Sequence, residues 1–264
     1  MMPSPAISLI FVNYRSFWSL SLALKSLFSL EKDKSFFEVI VVNNDPKEYQ
    51  ALLVLSRILP FRLLQSEGNI GFGQAANQGA FAAQGKIVGF LNPDILWQEQ
   101  ALVRVWEFFA SHSPLTILGF TLLDETRETE RFSGGKLPHL GRLLEHNLLP
   151  ERFSQVDTSR DALDWVSGCG LFIPQKTFLL LGGFDKDFFL YFEDVDLCLR
   201  AKKHDIVVIR EEYFRLLHRG GKSFSSHQKQ KRNFYASQLT YFRKHRSRKE
   251  YAILKILHFL KQAL

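Results

Sequence analysis

Short apolar runs rich in strand-forming residues alternate with helically periodic segments through the first 122 residues. The runs cover residues 6–12, 39–42, 61–64, 87–91 and 117–122. Between them, apolar residues recur at helical spacing around residues 20–28, 52–59, 74–84 and 98–109. Strands that alternate with helices form βαβ units, which build a parallel sheet covered by helices on both faces. The pattern therefore predicts an α/β fold with a mostly parallel, Rossmann-like central sheet.

Three of the predicted strands end in polar clusters, namely Asn13-Tyr14, Asn43-Asn44-Asp45 and Asn92-Pro93-Asp94. Each cluster taken singly predicts only a turn, because turns are commonly polar. Ligands of parallel sheets, however, bind at the carboxyl ends of the strands. Because all three clusters fall at such ends, their coincidence predicts a ligand site at this edge of the sheet.

Residues 188–200 place three carboxylates directly after a run of bulky apolar and aromatic residues. Negative charge beside apolar side chains is costly unless a cation answers it or a reaction uses it. We expect Glu193 and Asp194 at the start of a short helix at the lip of a cleft. Asp196 can pair with Arg200 four residues later on that helix. The alternative is that Asp194 only caps the helix N-terminus, where aspartate is favoured.

Three further segments carry weaker signals. Residues 123–163 hold charges and no clear periodicity, so we expect an excursion over one face of the sheet. Residues 164–173 are typical of a strand interrupted by glycines, where the backbone can approach a ligand closely. Residues 218–223 combine a histidine, two glycines and cations, which predicts a loop that faces a phosphate.

The composition is that of a globular protein, with 46% hydrophobic residues in 264. The cysteines, Cys169 and Cys198, give neither a disulfide framework nor a metal-binding spacing, so we expect a reducing, cytoplasmic environment. We see no secretory signal and no apolar run of the roughly 18 residues that a membrane span needs.

The formal net charge of +7 is concentrated near the C-terminus, where Glu250 is the only acidic residue between Arg215 and Lys261. From about residue 227, basic and aromatic residues interleave in a pattern that predicts an amphipathic helical tail. Such a tail can lie on an anionic membrane, stack on the bases of a nucleic acid, or pack on the rest of the chain. The charge alone does not choose among these readings.

Several of these segments together resemble the family 2 glycosyltransferases, the inverting GT-A enzymes, and within them the bacterial rhamnosyltransferase-like branch. The resemblance covers roughly residues 6–225. The segment 189–197 is its most specific part. The other matching pieces are residues 8–14, 41–44, 68–73 with Asn77 and Gly79, 91–94, 168–173, 182–185 and 218–223.

The resemblance implies a GT-A fold, a nucleoside-diphosphate-sugar donor and a divalent cation, Mg²⁺ or Mn²⁺. Asp194 would be the general base, with Glu193 and Asp196 orienting the site. Asp94 would ligate the cation, and His218 would supply a further metal or phosphate contact. The residues implied to shape the nucleotide and sugar pocket are Asn13, Tyr14, Asn43, Asn44, Gly68, Asn69, Gly71, Asn77, Asn92, Trp165 and Gly168.

Two positions depart from the family pattern. The usual Asp-x-Asp metal signature is Asn92-Pro93-Asp94 here, which leaves one charged ligand and puts the strength of metal binding in question. The usual aspartate after the second strand is Asn43. An amide both donates and accepts hydrogen bonds, so the preference for a uracil or thymine ring is open.

From these observations we predict an inverting glycosyltransferase of bacterial cell-surface polysaccharide or lipopolysaccharide synthesis. The donor would be of the dTDP-rhamnose or UDP-sugar type, and the acceptor a glycan or lipid-linked hydroxyl. We expect a catalytic domain at 1–225 and a basic helical tail at 226–264, with peripheral contact to the inner membrane and no nucleic-acid partner. The rival hypotheses are a nucleotidyltransferase on a similar sheet and a basic protein that binds membranes or nucleic acid.

Overall fold

The computed structural model describes residues 5–130, 132–148, 163–220 and 227–263. Along the chain lie β1 (Ile7–Asn13), α1 (Phe17–Leu30), β2 (Phe37–Asn43), α2 (Tyr49–Ser56), β3 (Arg62–Gln65), α3 (Phe72–Ala82), β4 (Ile87–Leu91), β5 (Ile95–Trp97), α4 (Leu102–Ser111), β6 (Thr116–Leu123), β7 (Gly134–Gly135), α5 (Leu140–Leu148), β8 (Trp165–Val166), β9 (Gly170–Pro174), α6 (Gln175–Leu180), α7 (Glu193–Lys202), β10 (Val207–His218), α8 (His227–His245) and α9 (Arg248–Ala263). A short 3₁₀ helix, Pro46–Glu48, precedes α2.

Eight of these strands form one sheet in the order β3-β2-β1-β4-β9-β6-β10-β5. The neighbours β3-β2, β2-β1, β1-β4 and β6-β10 are parallel. Strand β9 runs antiparallel to both of its neighbours, and β5 runs antiparallel to β10. The predicted mostly parallel sheet is confirmed, and the antiparallel β9 in its middle is an addition that the sequence pattern did not indicate.

Helices cover both faces of this sheet, as predicted. Alternate residues of β1 point to opposite sides: Leu9 and Phe11 pack with α1 and α4, whereas Ile10 and Val12 pack with α3, α6 and α7. The strands are therefore buried on both faces, which explains their near-continuous apolar sequences. The carboxyl ends of β1, β2 and β4 consequently meet at one edge.

A third apolar cluster joins the acidic segment to the C-terminal helices. Phe188 and Phe192 pack there against Tyr241 and Phe242 of α8 and Leu254 of α9. The predicted tail is thus helical and lies against the segment that carries Glu193 and Asp194. The predicted boundary between residues 225 and 226 falls outside the described residues, and the division into two domains stays a prediction.

Some element bounds differ from those predicted. Strand β10 continues to His218, where a loop was expected, because its second half pairs with both β6 and β5. Residues 164–173 split into β8 and β9 around a turn. Within the predicted excursion of residues 123–163, the structure describes β7 and α5, and residues 149–162 lie outside the described part. Residues 221–223 of the predicted phosphate loop also lie outside it.

Candidate active site

A cleft of about 1530 Å³ opens at the carboxyl edge of β1, β2 and β4. It brings together most of the site residues predicted from the sequence. Those that line it are Tyr14, Asn44, Asn69, Gly71, Asn92, Asp94, Trp165, Gly168, Glu193, Asp194 and His218. Five predicted residues are not among its lining residues: Asn13, Asn43, Gly68, Asn77 and Asp196.

Asp194 sits in the first turn of α7 with both carboxylate oxygens held by backbone donors. The Gly168 amide donates to Oδ2 at 2.9 Å, and the Val195 amide donates to Oδ1 at 2.8 Å. Burial raises the pKa of Asp194, while these two hydrogen bonds oppose that rise. The turn that presents it is unusual, since Tyr191 and Phe192 both adopt left-handed backbone, with φ of 69° and 67°. Non-glycine residues in that conformation are uncommon and cluster at functional sites.

Glu193 is buried beside Asp194, with 5% of its surface exposed. Its Oε2 has no hydrogen-bond partner among the described residues. Burial, and then the charge of Asp194, raise the pKa of Glu193 well above its usual value. A carboxylate in this position is costly when ionised, which favours the protonated acid.

Replacing Glu193 with Gln is expected to raise the free energy of unfolding near pH 7 by on the order of 1 kcal/mol, or about 2–4 °C in Tm. The raised pKa of Glu193 means that the folded chain loses stability as pH rises from the usual glutamate pKa toward the raised one. Glutamine has no proton to lose, so the gain should vanish in acid. Thermal unfolding from pH 4 to 8 measures this, with exposed Glu107→Gln as control; equal Tm values at neutral pH would contradict it.

Asp196, in the first turn of α7, is not among the residues that line the cleft, and only 1% of its surface is exposed. Arg200 Nε donates to its Oδ2 at 2.7 Å, and His245 Nε2 of α8 lies 2.6 Å from its Oδ1. The same guanidinium donates to the carbonyls of Leu181 and Gly183. The predicted Asp196–Arg200 pair is therefore present, and it ties α7 to α8 and to the loop before the acidic segment.

Helix α8 supports the acidic segment at further points. Ser237 Oγ donates to the Leu190 carbonyl at 2.7 Å, and Gln230 Nε2 donates to the Tyr191 hydroxyl at 3.0 Å. Lys244 Nζ lies 2.5 Å from Asp185 Oδ2. Sequence reasoning missed these contacts because they join residues 39–59 positions apart. They tie α8 to the turn at Tyr191 and Phe192 and to Asp185 before it.

Asp94 and His218 face each other across 3.3 Å, measured from Oδ1 to Nε2. Both atoms are buried and lack a hydrogen-bond partner of good geometry among the described residues. The other ring nitrogen of His218, Nδ1, lies 2.9 Å from Glu130 Oε2. Burial opposes a charge on His218, but its contacts with Asp94, Cys169 and Glu130 raise its pKa overall.

This arrangement fits a divalent cation bound through few protein ligands. A carboxylate oxygen and an imidazole nitrogen that both lack partners are suitable donors, and a second carboxylate behind the histidine is a common outer-shell partner of metal ligands. The described residues contain no group of three or more His, Cys, Asp or Glu side chains suited to a metal. The remaining ligands would have to be water and a bound diphosphate, as is usual for Mg²⁺.

The amides of Asn13 and Asn43 meet in a buried network below the cleft. Asn13 Nδ2 donates to Asn43 Oδ1 at 3.0 Å and to Glu48 Oε2 at 2.8 Å. Asn43 Nδ2 in turn donates to the Asp45 carbonyl and to Gln65 Oε1. Both side-chain amides donate to groups within the protein, so Asn13 and Asn43 stabilise the ends of β1 and β2 beneath the cleft. Glu48, which sequence reasoning missed, closes this network.

The glycine-rich loop before α3 is tied to the same cleft. Asn44 Nδ2 donates to the Gly71 carbonyl at 3.0 Å, and the Phe72 amide donates to the Phe189 carbonyl at 2.9 Å. Gly71 has φ of 88°, and a Cβ there would collide with the Phe189 carbonyl oxygen, so only glycine fits. The side chain of Asn77 accepts a hydrogen bond from the Phe184 amide and donates one to the Phe184 carbonyl. Asn77 thus anchors the loop before the acidic segment to α3 from outside the cleft.

Residues 168 and 169 connect the two halves of the site. The Asn92 amide donates to the Cys169 carbonyl at 3.4 Å, whereas the adjacent Gly168 amide donates to Asp194. The cluster after β4 and the carboxylate in the first turn of α7 are therefore linked through two adjacent residues of the β8–β9 turn. Trp165 lines the cleft beside them, and its indole N–H donates to the Lys136 carbonyl.

Comparison with known protein families finds one family model, "Glycosyl transferase family 2", that matches residues 8–159. Rhamnosyltransferase WbbL of Escherichia coli K12 is 26% identical over 189 residues, which are 67% of this chain and 70% of that protein. An N-acetylglucosaminyl-diphospho-decaprenol L-rhamnosyltransferase of Mycobacterium tuberculosis is 25% identical over 187 residues, covering 62% of this chain and 61% of that protein.

Among solved structures, the fold resembles the mannosyltransferase PcManGT of Pyrobaculum calidifontis in complex with GDP-Man and Mn²⁺. The TM-score is 0.65 at 14% identity, over 92% of this chain and 64% of that one. At this identity the likeness concerns the fold alone. The chain spans less than two thirds of both the mycobacterial relative and this structural neighbour.

Proposed function

Because the chain belongs to glycosyl transferase family 2, we propose that it moves a sugar from a nucleoside-diphosphate sugar to an acceptor hydroxyl and inverts the anomeric configuration. The predicted family resemblance and GT-A type of fold are confirmed. The rhamnosyltransferase names of the relatives support rhamnose as the transferred sugar and thus a donor of the dTDP-rhamnose type, with a UDP-sugar as the alternative. The mycobacterial relative's name includes a sugar on diphospho-decaprenol, which supports a glycan or lipid-linked acceptor, and we place the reaction in cell-surface polysaccharide synthesis as part of this proposal.

The observation that carries this proposal is that Asp94, His218 and Asp194 line one cleft at the carboxyl edge of the sheet. A donor bound there would have its diphosphate near Asp94 and His218 and its sugar toward Asp194. Gly168 and Cys169 link the two ends of this site, because the Gly168 amide donates to Asp194 and the Cys169 carbonyl accepts from the Asn92 amide near Asp94. The site therefore offers a place for the leaving group and a base for the acceptor within one hollow.

Asp194 is the proposed general base. It takes the proton of the acceptor hydroxyl as that oxygen attacks the anomeric carbon, and the bond from this carbon to the phosphate oxygen breaks. One displacement inverts the configuration and needs one base and no covalent sugar–enzyme intermediate. A carboxylate has about four acceptor positions, so the two backbone hydrogen bonds leave room for the hydroxyl and fix the direction of the carboxylate. Burial and the charge of Asp194 raise the pKa of Glu193, which favours the protonated form beside the base.

Asp94 and His218 are the proposed ligands of a divalent cation, either Mg²⁺ or Mn²⁺. Such an ion, when bound, offsets the negative charge that develops on the departing diphosphate. Glu130 orients His218 by its contact with Nδ1. Tyr14, Asn44, Asn69 and Asn92 would contact the nucleotide, since all four line the cleft.

Replacing Glu130 with Gln is expected to weaken Mn²⁺ binding by about 10–100-fold, the usual cost of losing an outer-shell partner. The amide keeps the shape of the side chain but removes the negative charge behind His218. Calorimetric titration of Mn²⁺ in the presence of a nucleoside diphosphate measures the effect, with exposed Glu128→Gln as control. Unchanged Mn²⁺ affinity would remove Glu130 from the site.

The direct test is a screen of UDP-, dTDP- and GDP-sugars with and without Mn²⁺, read first by thermal shift and then by product analysis. A glycosyltransferase releases a nucleoside diphosphate, by transfer or by slow hydrolysis of the donor. A nucleotidyltransferase would instead consume a nucleoside triphosphate and release pyrophosphate. The second product, or no response to any nucleotide sugar, would overturn the proposed function.

The outer face of α9 supports the proposed contact with a membrane surface. Its apolar residues Ile253, Ile256 and Phe259 are exposed, and the stretch 227–264 has ten Lys or Arg residues against one Glu. None of the described helices is both long and apolar enough to cross a bilayer. Exposed apolar side chains with cationic neighbours are typical of helices that lie in the interface of an anionic membrane.

Replacing Ile256 and Phe259 with Asp is expected to reduce binding to phosphatidylglycerol-containing vesicles by at least about tenfold. These side chains are 59% and 71% exposed, so the change should leave the fold intact. Val54→Asp with Ile58→Asp is the matched control, because those residues are 56% and 71% exposed and lie away from the basic helices. Vesicle flotation measures binding, and equal flotation of both double variants would contradict the membrane contact.

A further inference from the structure

One face of α8 lies against the segment that carries Asp194. Its residues recur three or four positions apart, which places them on one side of the helix. Each of them contacts a residue between positions 190 and 196. This set, which we call the facing stripe, consists of Gln230, Phe234, Ser237, Tyr241 and His245. A single helix therefore supports the acidic segment along its length.

The first four residues of the facing stripe support the turn before α7. Besides the two hydrogen bonds already described, the ring of Phe234 lies 5.9 Å from that of Tyr191 and 5.3 Å from that of Phe192. The ring of Tyr241 lies 5.6 Å from that of Phe192. Left-handed backbone at non-glycine residues persists only where the surrounding structure over-determines it. Helix α8 supplies a large part of that surrounding structure.

The last residue of the stripe, His245, acts on α7 itself. Its partner Asp196 lies in the same first turn as Asp194, and the two side chains of the pair are 10% and 1% exposed. A carboxylate only accepts hydrogen bonds, so His245 Nε2 carries a hydrogen and donates it to Oδ1, while Arg200 occupies Oδ2. Loss of the ring would leave a buried carboxylate oxygen without this donor, which is unfavourable. The first turn of α7 would then have to move.

The two residues before His245 make weaker contacts of the same kind. Lys244 Nζ lies 2.8 Å from Asp187 Oδ2 in addition to its contact with Asp185, and an Arg243 guanidinium nitrogen lies 3.7 Å from the same Asp187 oxygen. These pairs are more exposed than the pair of His245 and Asp196. Exposed ion pairs contribute little, so His245 is the basic residue of this turn whose loss should matter most.

We infer that His245 is a positioning residue of the transfer reaction: by holding Asp196 it fixes the first turn of α7 and so directs the carboxylate of Asp194. This inference rests on the proposed function and adds a residue of α8 to the residues on which turnover depends. His245 does not touch the substrate. Its effect reaches the reaction through the direction of the base, because a small displacement of a catalytic group lowers the rate steeply.

Substitutions of His245 in the full chain test the inference. The rate is followed with Mn²⁺, well below the Tm of each variant, as release of dTDP from dTDP-rhamnose or of UDP from a UDP-sugar. In His245→Leu, kcat should fall by about 10–100-fold. The KM for the donor and the affinity for dTDP or UDP should stay close to native, because the residues proposed to bind the nucleotide are unchanged. His245→Gln keeps an N–H donor on a planar group and should recover most of the rate.

A control variant separates positioning from stability. Leu55→Ala removes a buried side chain of α2 and should lower the Tm without lowering kcat. Hydrogen exchange of the amides of residues 188–197, read by mass spectrometry, should be faster in His245→Leu and close to native in Leu55→Ala.

A double variant shows whether His245 acts through Asp194. The base is already absent in Asp194→Asn, so adding His245→Leu should lower the rate no further, whereas two independent effects would multiply.

Three results would overturn the inference: native kcat in His245→Leu, a loss that His245→Gln does not reduce, or a loss that multiplies with that of Asp194→Asn. Each of them leaves the proposed function standing, since the native chain still turns over the donor. A native chain that releases no nucleoside diphosphate from any nucleotide sugar would instead overturn the proposed function, and this inference with it.

Discussion

An Asp194→Asn variant is expected to bind nucleotide and unfold at nearly the native temperature, yet to transfer sugar about 10²–10⁴ times more slowly. Asparagine can keep its oxygen on the Gly168 amide, so the turn between β8 and β9 should stay in place, and only the Val195 amide in the first turn of α7 loses its acceptor. It cannot accept the proton of the acceptor hydroxyl at neutral pH. The loss should therefore fall on kcat, with little change in the KM for the donor.

The pH dependence gives a second readout of the same residue. Because burial raises the pKa of Asp194, the acid limb of kcat/KM should lie above the range of an ordinary aspartate. Activity should fall as the pH drops through that raised pKa, since only the ionised carboxylate accepts a proton. Asp205→Asn, an exposed carboxylate after the end of α7, should leave both the rate and the profile unchanged. Near-normal turnover of Asp194→Asn would mean that another group is the base.

The sheet and the convergence of the site were predictable because they depend on local patterns. Apolar runs separated by helical periods fix the βαβ connections, and these place Asn13, Asn43 and Asp94 at one edge. The acidic residues at 193–196 also mark the start of α7 by a local pattern, because carboxylates are favoured in the first turn of a helix. Residues that lie at strand or helix ends in sequence can thus be assigned to one edge before their side chains are known.

Which way each side chain points was not predictable from such patterns. Asn13 and Asn43 are paired in register on neighbouring parallel strands, so their amides meet each other under the cleft. Tyr14 and Asn44 are one residue further along, and these are the pair that lines the cleft. A residue one position earlier or later on these strands therefore either supports the cleft from below or lines it, and the strand register determines which.

The supporting residues were out of reach for a different reason. Glu130 contacts His218 from 88 residues away, and His245 contacts Asp196 from 49 residues away. Neither Glu130 nor His245 belongs to a motif. Strand β10 reaches His218 because β5 and β6 pair with it on both sides, and no local propensity indicates that. Tertiary pairing thus supplies the second carboxylate of the proposed metal site.

An Asp94→Asn variant should lose both the Mn²⁺ requirement and most of the activity, with kcat/KM reduced by about two to three orders of magnitude. Asn92 stands where the usual Asp-x-Asp signature has its first aspartate, so the charged oxygen of this motif in the proposed metal site comes from Asp94. The variant keeps the shape of the side chain and the bond from the Arg219 amide to the carbonyl of residue 94. The fold should therefore survive, and the loss should appear as weaker binding of the nucleoside diphosphate when Mn²⁺ is present.

Two measurements separate a metal role from a steric one. Calorimetric titration of dTDP or UDP should show a large gain in affinity from Mn²⁺ for the native chain and little or none for Asp94→Asn, whereas Asp205→Asn should behave as native. Without metal, Asp94→Asn should bind the diphosphate at least as tightly as the native chain, because an amide does not repel the diphosphate as a carboxylate does, and Asp205→Asn should match the native chain. If the Mn²⁺ gain persists in Asp94→Asn, the orphaned pair of Asp94 Oδ1 and His218 Nε2 is not a cation site, and the leaving diphosphate must be stabilised by Arg15, Lys136 and the other cations that line the cleft.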